Sequence, residues 1–298
     1  MKNHIHISRG DRAFYLIVAL IALLAFLCTL YPLVYLASSS ISDPSAVATG
    51  RVKLWPVGFS LKGYSAVFSD GSIITSYGNS LFYAVVGTIL EVSLLLPTAF
   101  ALSRKEMAGY RMLNMFFVFT MWFGGGMIPT FLTVRDLGLL NTRLAILLPP
   151  LVSAFHLMIC RTFFHNTIPN ELYESASLDG CGYWRFLFRI VLPLSKAIVS
   201  VMVLYSFVGF WNTYFNALIY LRSRELMPLQ IILKEILVQF DTAANEMMMD
   251  LDTNMMDYGL NEVLKYALII VACLPLWIAY PFVQKYFVSG VMIGSVKG

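Results

Sequence analysis

The sequence predicts an all-α membrane protein with six transmembrane helices. Of its 298 residues, 58% are hydrophobic and only 13% are charged, and the mean hydropathy is +0.72. A soluble domain does not carry so much apolar surface, and uninterrupted apolar runs of roughly 18 or more residues are typical of membrane spans. No internal repeat or low-complexity linker divides the chain. We therefore expect a single transmembrane domain over residues 1–298.

Six stretches of the chain have the length and apolar character of a membrane span. An even number of spans places both termini on the same side of the membrane. The stretches are Ala13–Leu36, Gly78–Leu102, Met112–Leu132, Leu144–Phe164, Ala197–Tyr220 and Val263–Phe282.

The distribution of Lys and Arg predicts that both termini of this multi-pass protein are cytoplasmic. The inner segments then hold slightly more than half of the 21 Lys and Arg residues, in the direction of the positive-inside rule. The first apolar stretch is too long for a cleaved signal peptide, which predicts an uncleaved anchor. The family resemblance given below implies that the membrane is a bacterial plasma membrane. The expected divisions are a cytoplasmic N-terminus over about 1–12, a six-helix core over 13–283 with a cytoplasmic loop at 165–195, and a cytoplasmic tail at 284–298.

Charge and cysteine usage exclude several kinds of partner. The formal net charge is only +4, and the basic residues lie near the ends of apolar segments, where they anchor helices in membrane lipid. Nucleic acid is therefore not an expected partner, because no basic patch is interleaved with aromatic residues. The cysteines have no paired spacing, so neither a disulfide framework nor a metal site is indicated. They are Cys28, Cys160, Cys181 and Cys273.

The most informative stretch is polar and lies between the fourth and fifth predicted spans. It reads Pro-Asn-Glu-Leu-Tyr-Glu-Ser-Ala-Ser-Leu-Asp-Gly over residues 169–180 and reaches Ile-Val-Leu-Pro at 190–193. Pro169 suits a first helical turn, Glu171 suits the positive end of the helix dipole, and Gly180 suits a C-terminal stop. The pattern predicts a short exposed helix. Its small residues allow a partner to approach closely, and Glu174 offers a carboxylate to a basic group.

The spacing of this stretch resembles the EAA loop of ABC importer permeases. In that loop a Glu-Ala-Ala triplet is followed after three residues by Gly, and after nine more by Ile-x-Leu-Pro. The spacing is kept, with Ser175 for the usual Ala, by Glu174, Ser175, Ala176, Gly180, Ile190, Leu192 and Pro193. The resemblance implies that this helix docks in a cleft on an ATPase subunit. The residues then expected to couple to the ATPase are Glu171, Glu174, Ser175, Ala176, Asp179 and Gly180.

Three further motifs resemble the carbohydrate-uptake permeases of the maltose and alginate type, in the lipoprotein-associated oligosaccharide branch. This resemblance implies an importer of an oligosaccharide or polysaccharide fragment that works by alternating access. The implied partners are a homologous second permease, two ATPase subunits, and an extracellular solute-binding protein or lipoprotein. The motifs are Phe-Gly-Gly-Gly-Met-Ile-Pro-Thr at 123–130, Arg-Asp-Leu-Gly-Leu-Leu-Asn-Thr at 135–142 and Gly-Val-Met-Ile-Gly-Ser-Val-Lys-Gly at 290–298.

No catalytic motif accompanies these features. The chain contains no Gly-Lys dipeptide and hence no phosphate-binding G-x-x-x-x-G-K-[ST] loop, so we expect no cofactor in this chain and place ATP and Mg²⁺ on partner subunits. Neither H-E-x-x-H nor G-x-S-x-G is present, which weakens the alternative of a membrane enzyme.

The end of the fifth predicted span is the candidate substrate path. On a continuous helix, Trp211, Tyr214, Phe215 and Leu218 share one stripe, and the amides lie on the neighbouring stripe. Aromatic faces cover the apolar side of a sugar ring, while amides hydrogen-bond its hydroxyls. Interfacial aromatic belts and interhelical Asn contacts are the alternative explanation. The path residues are Trp211, Asn212, Tyr214, Phe215, Asn216 and Tyr220.

Two ionisable residues lie within predicted spans, Glu91 and His156. The competing function is an ion-coupled secondary transporter, in which these residues form ion or proton sites. We expect a structural role for each instead, with a neutral, hydrogen-bonded His156 and a Glu91 that is protonated, partnered or near the outer surface.

Two other segments carry weaker predictions. The glycines at 124–126 with Pro129 predict irregular backbone within the third span, which is tolerated only where it is buried in protein or lines a cavity. The segment Pro228–Glu262 begins as an amphipathic helix and becomes acidic and Met-rich. We expect it to dock the binding protein, as the equivalent outer loop does in maltose-type permeases.

Overall fold

The computed structural model describes residues 8–247 and 255–294, and their regular structure is almost entirely helical. A lone bridge between Ser42 and Phe59 is the only β pairing within these ranges. The helices are α1 (Arg9–Ser40), α2 (Pro44–Ala48), α3 (Lys62–Ser69), α4 (Gly71–Ser103), α5 (Tyr110–Trp122), α6 (Met127–Asp136), α7 (Leu144–Leu147), α8 (Ala154–Thr167), α9 (Asn170–Leu178), α10 (Tyr183–Phe186), α11 (Leu192–Leu194), α12 (Lys196–Trp211), α13 (Phe215–Tyr220), α14 (Leu229–Met247) and α15 (Met255–Gly294); a π turn covers Leu187–Val191 and a 3₁₀ turn Arg224–Leu226.

The chain forms two compact units. One contains the described residues of 1–70 and 235–272, and the other contains 71–234 and the described residues of 273–298. The first unit begins with α1, whose start is fixed by a capping box: the Asp11 amide donates to Ser8 Oγ and the Ser8 amide to Asp11 Oδ2, both at 3.1 Å. The most apolar 18-residue window of Gly10–Ser40 contains no buried residue, as expected of a helix that contacts lipid or another subunit.

The second unit is organised by α4, which packs against α8 and α12. Its apolar core takes side chains from all three helices and from the segment after α10. At Gly87 the backbone of α4 lies close to α12, because a Cβ added there would be only 2.6 Å from the ring of Phe210. The core includes Leu95, Leu96, Ala99, Phe100, Leu157, Cys160, Phe164, Phe186, Leu187, Val191 and Met202.

Among the described residues, three helices are long and apolar enough to cross a membrane, and five spans result if each sharply bent helix pair counts as one. The three are Gly10–Ser40, Gly71–Ser103 and Gly259–Gln284, which contain the predicted first, second and sixth spans. The pair α5 and α6 covers the predicted third span and bends by 113°. Residues 123–126 between them are not helical, which confirms the irregular backbone predicted at the glycines. The predicted count of six spans is not confirmed.

The predicted fourth and fifth spans are not continuous helices. The fourth is divided between α7 and α8 by residues 148–153, because consecutive prolines at 149 and 150 lack the amide hydrogens that a helix needs. Helix α8 has 14 residues and is therefore about 21 Å long, shorter than the hydrocarbon core. The fifth ends at Trp211, and α13 restarts after residues 212–214.

The Met-rich segment is described only in part. Helix α14 confirms an amphipathic start, since Leu229 and Ile232 are buried. Residues 248–254, where much of the predicted docking segment falls, lie outside the described residues, as do 295–298 of the predicted tail. Helix α15 continues to Gly294, so residues 284–294 of that tail are helical.

Candidate functional site

The predicted short helix is present as α9, and its ends match its sequence. Pro169 is the N-cap residue, one position before the first helical turn. Gly180 adopts the left-handed conformation at φ +74°. The Gly180 amide donates to the Ser177 carbonyl and the Cys181 amide to the Ala176 carbonyl, both at 3.0 Å. This pair of bonds is a Schellman motif, which satisfies the last carbonyls of the helix and explains the glycine.

Helix α9 has one buried face and one exposed face. Leu172, Tyr173 and Ala176 pack against the apolar core of the second unit. Ala176 is half-buried and contacts its own chain, so its role toward an ATPase subunit stays a prediction. Glu171, Glu174, Ser175 and Leu178 are exposed and follow the i, i+3, i+4, i+7 spacing of a single helical stripe. We call these four residues the α9 stripe.

The most exposed side chain of the α9 stripe is apolar. Leu178 has 89% of its surface exposed, which is costly in water and is expected where a partner covers the residue. Asp179 and Gly180 are also exposed, next to this side chain. The exposed end of α9 thus places the apolar side chain of Leu178 next to carboxylates. Such a combination is typical of a docking surface.

Aromatic and polar contacts join α9 to the long helices. The rings of Tyr173 and Tyr183 stack at 4.7 Å, and Tyr173 meets Phe186 edge-on at 5.1 Å. The hydrogen bond that the Tyr173 hydroxyl donates to Tyr183, together with burial, raises the pKa of Tyr173 to about 12, so Tyr173 is neutral at physiological pH. Arg104, which follows α4, donates from Nη1 to Asn170 Oδ1 at 3.1 Å. These contacts attach α9 to α4 and α10.

The second half of the EAA-like stretch, residues 190–193, lies at a sharp bend of the helical chain. Ile190 lies in the π turn Leu187–Val191, and Leu192 and Pro193 belong to the short helix α11 that follows. Pro193 has no amide hydrogen to continue the helical ladder. The helical segment ends at residue 194, and the next one, α12, leaves at 88° to it. A π turn followed by proline accounts for this bend.

A polar cavity of about 260 Å³ lies within the second unit. The two predicted intramembrane ionisable residues meet there: a 2.8 Å hydrogen bond joins Glu91 Oε1 and His156 Nδ1. Glu91 is buried, and the ring of Tyr205 lies 5.7 Å from that of His156. The two residues satisfy one another, which confirms the expectation of a partnered Glu91 and leaves neither as a free ion site. The wall is completed by Pro150, Ser153, Ser206, Gly209, Phe210, Thr213 and Asn216.

The family of the chain is shown by comparison with known proteins. The sequence model of the family described as "Binding-protein-dependent transport system inner membrane component" matches residues 71–293. The chain belongs to this family. It is a multi-pass permease of the plasma membrane, the membrane component of an importer and not itself an enzyme.

Individual relatives agree with the family. The permease is 38% identical to Protein LplC of Bacillus subtilis over 91% of its own length and 90% of that protein. It is also 38% identical to the polygalacturonan/rhamnogalacturonan transport system permease protein YtcP of Bacillus subtilis, over 95% and 97% of the two chains. Its structure resembles a chain of a bacterial ABC transporter involved in the import of the acidic polysaccharide alginate, with a TM-score of 0.83, 37% identity, and coverage of 94% and 98%.

The predicted path residues are divided by the break before α13. The expected shared stripe of Trp211, Tyr214 and Phe215 is wrong, because residues 212–214 are not a continuous helix. Trp211 is buried, with its ring 5.6 Å from that of Tyr77. Tyr220 is buried as well and stacks on Phe131 at 6.2 Å.

The remaining path residues have different surroundings in the permease. Asn212 and Phe215 are exposed, and Tyr214 is half-buried. Asn216 alone among the predicted path residues lines the cavity of Glu91 and His156. The cavity thus combines one residue from the predicted path with the two ionisable residues that the sequence could not pair.

Two residues of the α9 region were not predicted from the sequence. Leu178 was available from helical periodicity, because it completes the stripe begun by Glu171, Glu174 and Ser175. Arg104 had no such signal. Its contact with Asn170 joins positions 66 residues apart, and no local pattern contains that information.

Proposed function

We propose that this permease is one of two related membrane subunits of an ABC importer that passes an oligosaccharide or polysaccharide fragment across the plasma membrane. The names of relatives support the substrate class, since YtcP is named for polygalacturonan and rhamnogalacturonan, and the similar structure belongs to an importer of alginate. Transport occurs by alternating access. ATP and Mg²⁺ bind to two partner ATPase subunits, and a solute-binding protein delivers the sugar outside.

The proposal includes a topology in which α9 is cytoplasmic. Six spans with both termini cytoplasmic form a single permease domain, and the EAA loop between the fourth and fifth spans meets the ATPase. The one crossing still missing from the count, the fourth along the chain, is assigned to α7 and α8. The break between these two helices is compatible with a membrane where protein or a cavity surrounds it.

The observation that carries the proposal is the α9 stripe. The carboxylates of Glu171 and Glu174 and the side chain of Leu178 are exposed, on the side of α9 that faces away from the core of the second unit. The opposite face is fixed to the core through Tyr173 and Asn170. A partner that engages the stripe therefore moves a rigidly attached element. Coupling in this sense biases a two-state bundle from both of its ends.

The sugar path extends to the polar cavity. Asn216, Thr213 and Ser153 present amide and hydroxyl groups beside the Glu91–His156 pair. Such groups hydrogen-bond sugar hydroxyls, and polar side chains within a bilayer are expected to face a bundle interior or a water-filled cavity. In this arrangement the ionisable pair orients the wall and does not carry a coupling ion.

The coupling proposal is tested by ATP hydrolysis of the purified assembly in lipid, with and without loaded binding protein. We expect Glu174→Arg to abolish the stimulation, because it reverses the charge of the exposed stripe. The matched control is Ser177→Arg, which places the same cation on the flank of the same helix. If Glu174→Arg assembles normally and retains full stimulation and uptake, α9 is not the coupling element.

The substrate class is tested separately. Liposomes containing the assembly are supplied with ATP and with fluorescent oligomers of galacturonate, alginate or maltose, together with the binding protein. ATP-dependent accumulation of an oligosaccharide supports the proposal. Accumulation that needs an ion gradient and not ATP would instead support the secondary transporter.

A further inference from the structure

A buried cation with free hydrogen-bond donors lies beside α9. Arg104 is only 5% exposed, and its guanidinium carbon lies 5.0 Å from the Phe100 ring centre and 5.5 Å from that of Phe186. Nη1 donates to Asn170, whereas Nε and Nη2 have no hydrogen-bond partner among the described residues. Buried donors of a charged group are rarely left unsatisfied, which points to an acceptor supplied from outside the chain.

The guanidinium faces a cavity of about 340 Å³. Apart from Arg104 and Glu106, the wall consists of aromatic and aliphatic side chains, including Phe100, Tyr183 and Trp184. Glu106 is exposed, so water screens its repulsion of an anion more effectively than it screens the buried guanidinium. The site offers one buried positive charge within an apolar pocket.

A second cavity of about 380 Å³ adjoins the first, since Pro97 and Leu187 line both. Its wall is almost entirely apolar and follows α4 back to Ile89. From Pro97 to Ile89 the helix rises about 12 Å. The two cavities together form a groove with a cationic end and a long apolar end.

The surroundings of the groove are typical of a membrane surface. Trp184 and Phe188 are exposed and stack with their ring centres 6.0 Å apart. Aromatic residues of this kind concentrate at the level of lipid headgroups. Lys105 is exposed next to Arg104, and Arg185 and Arg189 are exposed on the segment that forms the other wall. Basic residues at the membrane surface attract anionic lipid.

We propose that this groove binds one anionic phospholipid, with its phosphate beside the guanidinium of Arg104 and an acyl chain along α4 toward Ile89. A guanidinium presents paired donors that match two phosphate oxygens. An acidic side chain of a protein partner would satisfy the cation but would not fill the apolar half. Because Arg104 also holds Asn170, an occupied groove fixes the start of α9, and anionic lipid is expected to stabilise α9 against the long helices.

The experiment measures lipid affinity of the full-length permease in neutral detergent, through the rise in Tm as lipid is titrated. Phosphatidylglycerol, phosphatidylcholine and inorganic phosphate are compared. We expect a saturable rise with phosphatidylglycerol that phosphatidylcholine does not match and that phosphate alone does not produce. Equal effects of the two lipids, or full reproduction by inorganic phosphate, would overturn the proposal.

Two variants test the two halves of the groove. Arg104→Gln should raise the apparent Kd for phosphatidylglycerol at least about tenfold, the loss expected for a hydrogen bond to a charged group. Ile89→Trp leaves Arg104 in place and should weaken binding by filling the apolar end. Leu90→Trp is its matched control, since Leu90 is exposed on the same helix and does not line the groove.

The outcomes remain decisive if Arg104→Gln fails to fold. Unchanged phosphatidylglycerol affinity in Ile89→Trp, or equal weakening in Leu90→Trp, would contradict an acyl chain in the groove. Loss of phosphatidylglycerol binding when the second permease is added would show that a protein subunit covers the groove, which also contradicts the proposal. None of these readouts requires transport, so their failure leaves the importer function untouched.

Discussion

Helix α9 and the Glu91–His156 cavity lie in the same unit of the chain, but they treat charge in opposite ways. On α9 the carboxylates of Glu171 and Glu174 point outward without a partner side chain in the described part of the chain. In the cavity, the carboxylate of Glu91 is buried and paired with His156. The first arrangement leaves charge available to another subunit, and the second satisfies it within the chain.

This difference predicts different consequences of substitution in the two regions. Exposed charges and an exposed apolar residue contribute little to the stability of the chain that carries them, so changes there should alter coupling while stability is kept. A buried polar pair behaves in the opposite way, because removal of one partner leaves the other unsatisfied. The two regions can therefore be separated by measuring stability and activity on the same variants.

Leu178→Glu on the α9 stripe is expected to reduce activity and leave stability unchanged. The substitution replaces an apolar contact with a charge that a partner cleft must desolvate, so binding-protein-stimulated ATP hydrolysis should fall at least about tenfold, which corresponds to about 1.4 kcal/mol. The Tm of the isolated permease should not change, since Leu178 is 89% exposed.

The control for Leu178→Glu is Ser177→Glu, which adds the same charge on the flank of α9. A loss of Tm in Leu178→Glu would show that the residue supports its own chain. Equal losses of hydrolysis in both variants would show that any added charge on α9 disrupts docking. The α9 stripe would then not be the specific contact surface.

The largest effect on stability is expected at the cavity. Glu91→Ala removes one partner of a buried hydrogen-bonded pair and should destabilise the permease by about 3 kcal/mol. Glu91→Gln keeps an oxygen acceptor and the side-chain volume, so its Tm should remain close to that of the native chain. Thermal unfolding of the two variants in detergent provides the comparison.

Transport by Glu91→Gln decides between orientation and ion coupling. If the pair only orients the cavity wall, Glu91→Gln should retain ATP-dependent uptake. Complete loss of uptake in an intact assembly would show that the ionised carboxylate participates in transport, contrary to the structural role assigned to it.

The same contrast explains which features could be predicted from the sequence. Helix α9 was predicted because its start, its stripe and its terminal glycine are local properties of residues 169–180. The path residues were assigned on a continuous helix, but that helix breaks at residues 212–214, and its second part, α13, ends where a distant residue binds it. Asn141 accepts hydrogen bonds at Oδ1 from the amides of Arg222 and Ser223, at 2.9 and 2.8 Å, and its own amide donates to the Tyr220 carbonyl. No periodicity in residues 197–220 contains these contacts.

The pairing of Glu91 with His156 was unpredictable for the same reason. The two residues are 65 positions apart and lie on α4 and α8, whose packing is determined by the whole core. The span count is not confirmed where prolines and glycines interrupt apolar stretches, because hydropathy measures composition and not continuity of the helix.

The packing that joins the two regions is tested at Gly87. Gly87→Ala places a Cβ 2.6 Å from the ring of Phe210, a buried side chain that cannot move without disturbing the interface of α4 and α12. We expect a loss of about 2 kcal/mol from overpacking. Gly78→Ala is the matched control on the same helix, where nothing lies within 4 Å of an added Cβ, and it should be neutral or slightly stabilising. Equal Tm values for the two variants would show that α4 and α12 separate easily.

The smallest effect is expected at Asn141, whose contacts hold the end of α13. Its φ of +59° is tolerated by Asn and Gly better than by other residues. Asn141→Gly keeps this conformation but loses the side-chain hydrogen bonds, whereas Asn141→Ala loses the bonds and adds backbone strain. We expect losses of about 1 and about 2 kcal/mol respectively.

Hydrogen exchange at the amides of Arg222 and Ser223 measures the local opening. Because the free energies are small, exchange should accelerate at these amides in both variants while the amides of α9 remain protected as in the native chain. Equal acceleration at α9 would show that the two regions open together, and the separation drawn between them would not hold.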